Sequence, residues 1–425
     1  MSGLCLFVVF MAMLLLGAPI SFSLGLGTMA ACTVGGYSLS SLPLLITNGA
    51  SSYTLVAIPY FVLLGNLMNT AGITDRIFDW AEAAVGHIKG GLAHANVLAS
   101  VVFAGVSGTS TADAAGLGMV EINAMTKKGY PVDFTTAITM ASAVLGPIIP
   151  PSVTLLIYAT LSSTSVAKLF MAGMVPGLLV ALILCVTSYI LYVTGKVKMP
   201  APVRFSLQRF VKATKRGVFA LLCPLILLYF MSSGIVTPTE AGIIGVVYSL
   251  AIGLCYRSLS WKVLLDALKM TVESCTLIMF LIGMGSTTSW FLTAERIPSL
   301  ITDILLGLTE NKYLILLLIN VILLVLGMFM DGTSIQLIMV PILLPIIDLL
   351  GVSRITFGVM VTINILIGTI TPPFGVSLFI MTNIAKIPFE RVVKSSVPFY
   401  IPLILALLAI TYIPAFTLWL PNLLY

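Results

Sequence analysis

Gly146-Pro147-Ile148-Ile149-Pro150-Pro151 and, 222 residues further on, Gly368-Thr369-Ile370-Thr371-Pro372-Pro373 decide how this chain is read. Both stretches lie inside apolar runs. Two adjacent prolines interrupt a helix there, because proline lacks the backbone donor and its ring clashes with the preceding turn. Taken singly, each is a kink or a functional discontinuity; the recurring glycine at the same spacing points to the second. Other features recur in the same order: Gly108-Thr109-Ser110 returns as Gly332-Thr333-Ser334 at a displacement of 224, and Pro19 and Pro176 are matched by Pro238 and Pro398 at 219 and 222. Features that keep one order at nearly one offset mark an internal repeat. The halves are residues 1–195 and 217–425, joined by a polar, basic linker over 196–216.

The setting of these motifs is a lipid bilayer. Of 425 residues, 59% are hydrophobic and 8% charged, against roughly 25% charged in a soluble domain. Apolar runs of about 15 to 25 residues recur from end to end, and a bilayer core takes about 20 per helix. The chain therefore reads as an all-α polytopic membrane protein. Its six cysteines lie in apolar segments without ligand spacing and read as small core residues. His87 and His94 flank a membrane-surface segment with no partner motif, so neither a metal centre nor an organic cofactor is indicated. The first apolar stretch lacks the basic lead-in of a secretory signal, since the first Lys or Arg is Arg76, and is expected to be a mature membrane segment.

Each half offers the same series. Two apolar segments meet near a proline (3–16 with 20–36; 217–233 with 239–256) and a third follows (54–70; 271–293). Next comes an amphipathic segment, in which Ile77, Trp80, Ala81 and Ala84 fall opposite Asp75, Asp79 and Glu82, as suits a helix lying in the interface. Two half-length helices then meet at the Gly-Thr-Ser triplet as a re-entrant hairpin (91–127; 312–350). A helix broken at the Pro-Pro motif (133–163; 354–385) and a last span (167–194; 395–420) close each half. Five spans per half, an odd number, would set the two halves in opposite orientations as inverted repeats. That arrangement puts all but Lys168, Arg296, Lys312 and Arg354 of the 21 Lys and Arg on one side, which the positive-inside rule makes cytoplasmic, with both termini outside.

Backbone that leaves helical geometry at membrane depth survives only where protein or a water-filled cavity surrounds it. Matching breaks in two inverted halves point to a midplane site where helix N-termini face anions and freed carbonyls hold sodium. Ser107, Thr109 and Ser110 stand at the first tip, and Asp331, Thr333 and Ser334 at the second, with hydroxyls that either cap the following helix or ligate an alkali cation. For the first set, close helix packing by small residues is the alternative. Asp331 is read as a ligand or a cap, and Asp113 as orienting the site or capping. Glu121 and Glu273, nearer the cytoplasmic ends, and Glu240, nearer the outside, are expected to be solvated or helix-stabilising. Asn320 and Asn364 are expected to be interhelical hydrogen-bond partners. No Lys or Arg falls in the core of a span or hairpin, so an anion would be held by hydroxyls, N–H groups and bound sodium.

Through Val-Ser-Gly-Thr-Ser-Thr-Ala-Asp at 106–113, Gly-Pro-Ile-Ile-Pro-Pro-Ser at 146–152, Thr-Pro-Thr-Glu-Ala-Gly at 237–242 and Gly-Thr-Ile-Thr-Pro-Pro-Phe-Gly at 368–375, nearly the whole chain resembles the large membrane (M, or DctM-like) subunit of tripartite ATP-independent periplasmic (TRAP) transporters. The resemblance implies a non-enzymatic, sodium-driven importer in the bacterial inner membrane. It also implies a small four-helix (Q-type) membrane subunit and a soluble periplasmic (P-type) binding protein as partners, and a small organic acid such as a C4-dicarboxylate or sialic acid as cargo. Likeness to the wider ion-transporter superfamily implies a scaffold and an elevator-type transport domain. Carried over by position, one sodium site would use Ser107, Thr109, Ser110, Gly146, Ile149 and Pro151. The second would use Asp331, Gly332, Thr333, Gly368, Thr371 and Pro373. Substrate would meet Ser107, Gly108, Thr109, Ser110, Gly332, Thr333 and Ser334, with Asp113 and Asp331 coupling or orienting. A self-sufficient anion carrier of the same superfamily, coupled to sodium or protons, is the first alternative; a channel or membrane enzyme finds no motif in its favour.

Overall fold

A computed structural model describes residues 1–70, 73–108, 110, 113 and 116–425, the side chains of Thr70 and Ser107 excepted. Among the described residues there is no β-strand. The first half contains α1 (Ser2–Leu15), α2 (Ile20–Gly35), α3 (Leu42–Ala50), α4 (Ala57–Thr70), α5 (Ile73–Val85), α6 (Gly91–Ser107), α7 (Leu117–Lys127), α8 (Val132–Ser142), α9 (Val153–Ser162) and α10 (Val166–Val193). The second contains α11 (Leu207–Ser232), α12 (Pro238–Cys255), α13 (Trp261–Ala294), α14 (Ile297–Leu308), α15 (Lys312–Phe329), α16 (Gly332–Leu349), α17 (Arg354–Thr369), α18 (Val376–Ala385), α19 (Phe389–Tyr412) and α20 (Ala415–Leu424). Seven of the described helices, α10 to α13, α15, α16 and α19, are long and apolar enough to cross a membrane, and a pair bent by 51° between Leu39–Ala50 and Tyr53–Asn69 makes an eighth candidate.

Helix α6 stops at the first triplet and α16 starts at the second, and helices are interrupted at both Pro-Pro motifs. The remaining differences have local causes. Residues 42–50, given no element from sequence, form α3, which packs against α13. Proline at its start and only nine residues of length hide it from a search for spans. The second hairpin is not built of half-length arms: α15 and α16 have 18 residues each, about 27 Å at 1.5 Å per residue. The last span ends at Tyr412 rather than 420, because Pro414 stops it and α20 starts anew. The linker's final ten residues are already helical, since Ser206 caps α11 by accepting the Arg209 N–H at 3.4 Å. Finally, the apolar stripe of α5 is turned toward protein, with Ile77 and Ala81 fully buried as the helix packs on α6 and α11.

The two halves interlock. Helix α9 packs across α16 and α17, while α8 packs on α18 and α19, where Arg391 pairs with Asp133 at 2.8 Å and Phe134 meets Phe399. The Tyr158 hydroxyl donates to the Arg354 carbonyl at 2.7 Å, and Arg354 donates to the Ser162 carbonyl at 2.9 Å. Lipid tails are as apolar as leucine, so these helices associate by close packing and hydrogen bonds rather than by escape from water. The crossing of α15 and α17 shows the packing term. A Cβ on Gly368 would stand 2.6 Å from the Gly327 Cα, so only glycine allows that approach.

Candidate functional site

Each tip is seated on its own helix break. At the first, α6 ends at Ser107 and Gly108 adopts a left-handed φ of 64°. The Gly108 carbonyl accepts the Val153 N–H at 3.1 Å, which pins the tip to the start of α9. A Cβ on Gly108 would lie 2.8 Å from the Pro151 carbonyl oxygen, so that oxygen faces the tip across a space only glycine leaves open. Pro150-Pro151 is cis, and Ser152 caps α9 by accepting the Leu155 N–H at 3.1 Å. At the second tip, the Gly375 N–H donates to the Met328 carbonyl at 2.8 Å, and Pro372-Pro373 is again cis. Gly375 has φ 55°, and a Cβ there would stand 2.9 Å from both the Thr369 and the Thr371 carbonyl oxygens.

Thus the first break sets one backbone oxygen, that of Pro151, against the left-handed Gly108 of its tip, and the second sets two, those of Thr369 and Thr371, around the left-handed Gly375 within the break itself. Carbonyl oxygens of this kind suit a hard, weakly polarising cation, and at membrane depth freed carbonyls need such a partner or water. Gly375 closes the 368–375 motif but is not among the expected ligands. A glycine that follows a Pro-Pro break by two residues is the signal that would have found it.

The other expected residues fall as follows. Asp331 is the N-cap of α16: its carboxylate accepts the N–H groups of Thr333 at 3.0 Å and Ser334 at 3.2 Å, and the Ser334 hydroxyl also donates to it. That interaction satisfies two orphan donors of α16. Gly332 rests on Ile365, and Ser334 is fully buried. Gly368 fills the crossing with α15, Thr371 donates its hydroxyl to the Ile367 carbonyl at 2.6 Å, and Pro373 is exposed. Gly146 closes a 3-10 turn, and Ile149 packs on Gly177 of α10. Ser110 is partly buried and Asp113 buried. Thr109 lies outside the described residues, as does the side chain of Ser107. The two triplets, similar in sequence, differ in conformation: Gly108 ends a helix while Gly332 begins one.

Glu121 departs from its sequence expectation. Expected to be solvated or helix-stabilising, it is 1% exposed on α7, and its Oε2 accepts from Asn96 at 2.7 Å. Asn96 also donates to Thr139 at 2.7 Å and accepts from Ser142 at 2.8 Å, so one buried network ties α6, α7 and α8 together behind the first tip. Burial follows because α7 packs its Glu121 face between two helices of small and hydroxylated residues, which no one-dimensional reading of depth can locate. Glu240 does stabilise its helix, in a capping box with Thr237, and Glu273 is exposed. Asn364 donates to Asn320 at 2.7 Å, and Asn320 to Thr411 at 3.2 Å, both between helices as expected.

Seven described helices of membrane-crossing length, with further helices interrupted at two matching cis Pro-Pro breaks, define a multi-pass membrane protein. The comparisons with known proteins say which kind. Residues 7–416 match the model of the tripartite ATP-independent periplasmic transporter, DctM component. The chain is 38% identical to the sialic acid TRAP transporter large permease protein SiaM of Vibrio cholerae over 97% of both chains. It is 39% identical to the C4-dicarboxylate TRAP transporter large permease protein DctM of Pseudomonas aeruginosa and 33% identical to the 2,3-diketo-L-gulonate TRAP transporter large permease protein YiaN of Escherichia coli, over 94% of both chains in each case. The chain belongs to this family of TRAP large permeases, and is a transporter component rather than an enzyme. In fold it is similar to the crystal structure of the Alcanivorax borkumensis YdaH transporter, with a TM-score of 0.60 at 16% identity, over 90% of this chain and 88% of that one.

Proposed function

We propose that this chain is the large permease subunit of an inner-membrane importer that uses a sodium gradient to take up a small organic acid, of the class that includes C4-dicarboxylates and sialic acid. The observation that carries the reading is the duplicated arrangement of tip and break, in which the Gly108 carbonyl accepts the Val153 N–H and the Met328 carbonyl accepts the Gly375 N–H. Two sodium ions are bound there, one by hydroxyls and carbonyls from Ser107, Thr109, Ser110, Gly146, Ile149 and Pro151. The other is bound by Asp331, Gly332, Thr333, Gly368, Thr371 and Pro373. The carboxylate of the cargo lies between the tips, against Ser107 to Ser110 and Gly332 to Ser334. Asp113 and Asp331 orient the tips and couple ion binding to cargo.

The two inverted halves contribute hairpins and broken helices to a transport domain that moves as an elevator against a scaffold formed by the remaining helices. A soluble periplasmic binding protein delivers the cargo, and a small four-helix membrane subunit completes the scaffold. Some relatives carry further sequence beyond this region: the sialic acid TRAP transporter permease protein SiaT of Haemophilus influenzae is matched over 68% of its length. Inward movement of one sodium charge gains about 2.3 kcal/mol per 100 mV before any concentration term.

The test is uptake of labelled organic acids into proteoliposomes holding the chain and its small partner, under an inward sodium gradient. Uptake that requires both sodium and the cognate binding protein supports the proposal. Uptake without the binding protein would replace it with a self-sufficient carrier.

A further inference from the structure

A cleft of about 700 Å³ lies between α5 and the first turns of α11, lined by Asp75, Arg76, Asp79, Arg209, Lys212 and Arg216. Two of its cations are structurally committed. Arg209 pairs with the buried Glu82, and Arg76 stacks 3.8 Å over the Tyr256 ring while donating to the Arg216 carbonyl at 3.3 Å. Lys212 and Arg216 are exposed, and among the described residues neither side chain forms an ion pair. They fall four apart on α11, one turn above the point where that helix becomes apolar and presents exposed Phe219, Leu222 and Leu225. A polar cleft with two uncommitted cations thus adjoins, on the same helix, an exposed apolar stretch that starts at Phe219.

The acidic residues narrow the ligand. Asp75 and Asp79 would repel a small, multiply charged anion, but they accept hydrogen bonds from hydroxyls. Burial, then Glu82 and Asp75, push the Asp79 carboxyl up from its ordinary range, which favours a hydroxyl-bearing neighbour over a second negative charge. We infer that the cleft binds the headgroup of a glycerol-headed anionic phospholipid, its phosphate on Lys212 and Arg216, its hydroxyls toward Asp75 and Asp79, and its acyl chains along the apolar surface of α11. The inference is independent of the transported substrate and of sodium coupling.

Native mass spectrometry of the full-length chain in detergent tests it, with phosphatidylglycerol, phosphatidylcholine and inorganic phosphate as separate probes. A saturable phosphatidylglycerol adduct is expected, with neither of the other two binding comparably. The pair Lys212→Gln and Arg216→Gln should weaken it roughly 25-fold, at about fivefold per cation near a membrane surface. Should that pair fail to fold, Asp79→Asn serves instead: it removes a repelling charge, keeps an acceptor, and should tighten retention severalfold. Equal binding of phosphatidylcholine, displacement by equimolar inorganic phosphate, or phosphatidylglycerol retention unchanged by these substitutions would overturn the assignment.

Discussion

Asp331 is where an observed cap and the proposed coupling meet in one side chain. Its carboxylate caps α16 through the Thr333 and Ser334 N–H groups while standing at the tip where a cation is proposed. The two roles separate by substitution. Asp331→Asn keeps a capping oxygen but loses the charge, so thermal stability should change little while the sodium concentration needed for half-maximal uptake rises. Asp331→Ala should in addition lose about 1 kcal/mol of stability with the cap, measured as a lower midpoint of thermal unfolding in detergent. Glu121 is a different case, because its place is a buried network. Glu121→Ala strands the Asn96 donor in a site that water does not reach, which costs roughly 1 to 3 kcal/mol. Glu121→Gln leaves an oxygen for Asn96 and should cost less; equal losses in the two variants would mean that the network is not what holds α6, α7 and α8.

Helix pairs carry the next level of consequence. Where α15 crosses α17, a methyl group on Gly368 meets backbone at 2.6 Å, and no rotamer can relieve that contact. Gly368→Ala should therefore force the helices apart, costing on the order of 1 to 3 kcal/mol. The expected readouts are a fall in thermal midpoint and loss of uptake together, since the second tip rests on this crossing. On α5, the raised Asp79 carboxyl gives a pH dependence of definite sign. An acid whose folded pKa lies above its unfolded value contributes stability below the unfolded pKa and loses it as pH rises through the folded one. Asp79→Asn should therefore raise the thermal midpoint at neutral pH and leave it unchanged in acid, below the ordinary carboxylate range. A gain that persisted equally in acid would point to packing instead.

For the whole molecule the decisive issue is orientation. If the halves are inverted repeats and the basic linker is cytoplasmic, Lys312→Cys, placed in a background without the six native cysteines, should react with a membrane-impermeant maleimide from outside. Lys198→Cys should react only after the membrane is opened. Labelling of both from one side would refute the inverted arrangement and, with it, the expected count of spans. The interlock of α8 with α19 and of α9 with α16 and α17 also means that each half stabilises the other. Neither half should give a folded protein when expressed alone, whereas co-expression of both should restore a measurable fraction of uptake.

How much of this was legible in the chain differs between motif and surroundings. Hydropathy alone determined the membrane class, because lipid tolerates few charges and demands long apolar runs. The Gly-Thr-Ser and Gly-x-x-x-Pro-Pro repeats marked where α6 stops, where α16 starts and where helices are interrupted, because proline and glycine act on the backbone locally, whatever surrounds them. The helix-stabilising role expected of Glu240 was likewise local, since its partner Thr237 lies three residues away. Tertiary structure alone decided which carbonyls converge on Gly375, that Glu121 is buried among α6 and α8, and that α5 turns its apolar stripe toward α6 and α11. These depend on contacts between residues far apart in the chain, and side-chain depth is set by what packs over a helix rather than by its own sequence. Similar triplets at 108–110 and 332–334 end as a helix stop and a helix start for the same reason: Asp331 supplies a cap to the helix after it, while Gly108 is held by the Val153 N–H of another helix.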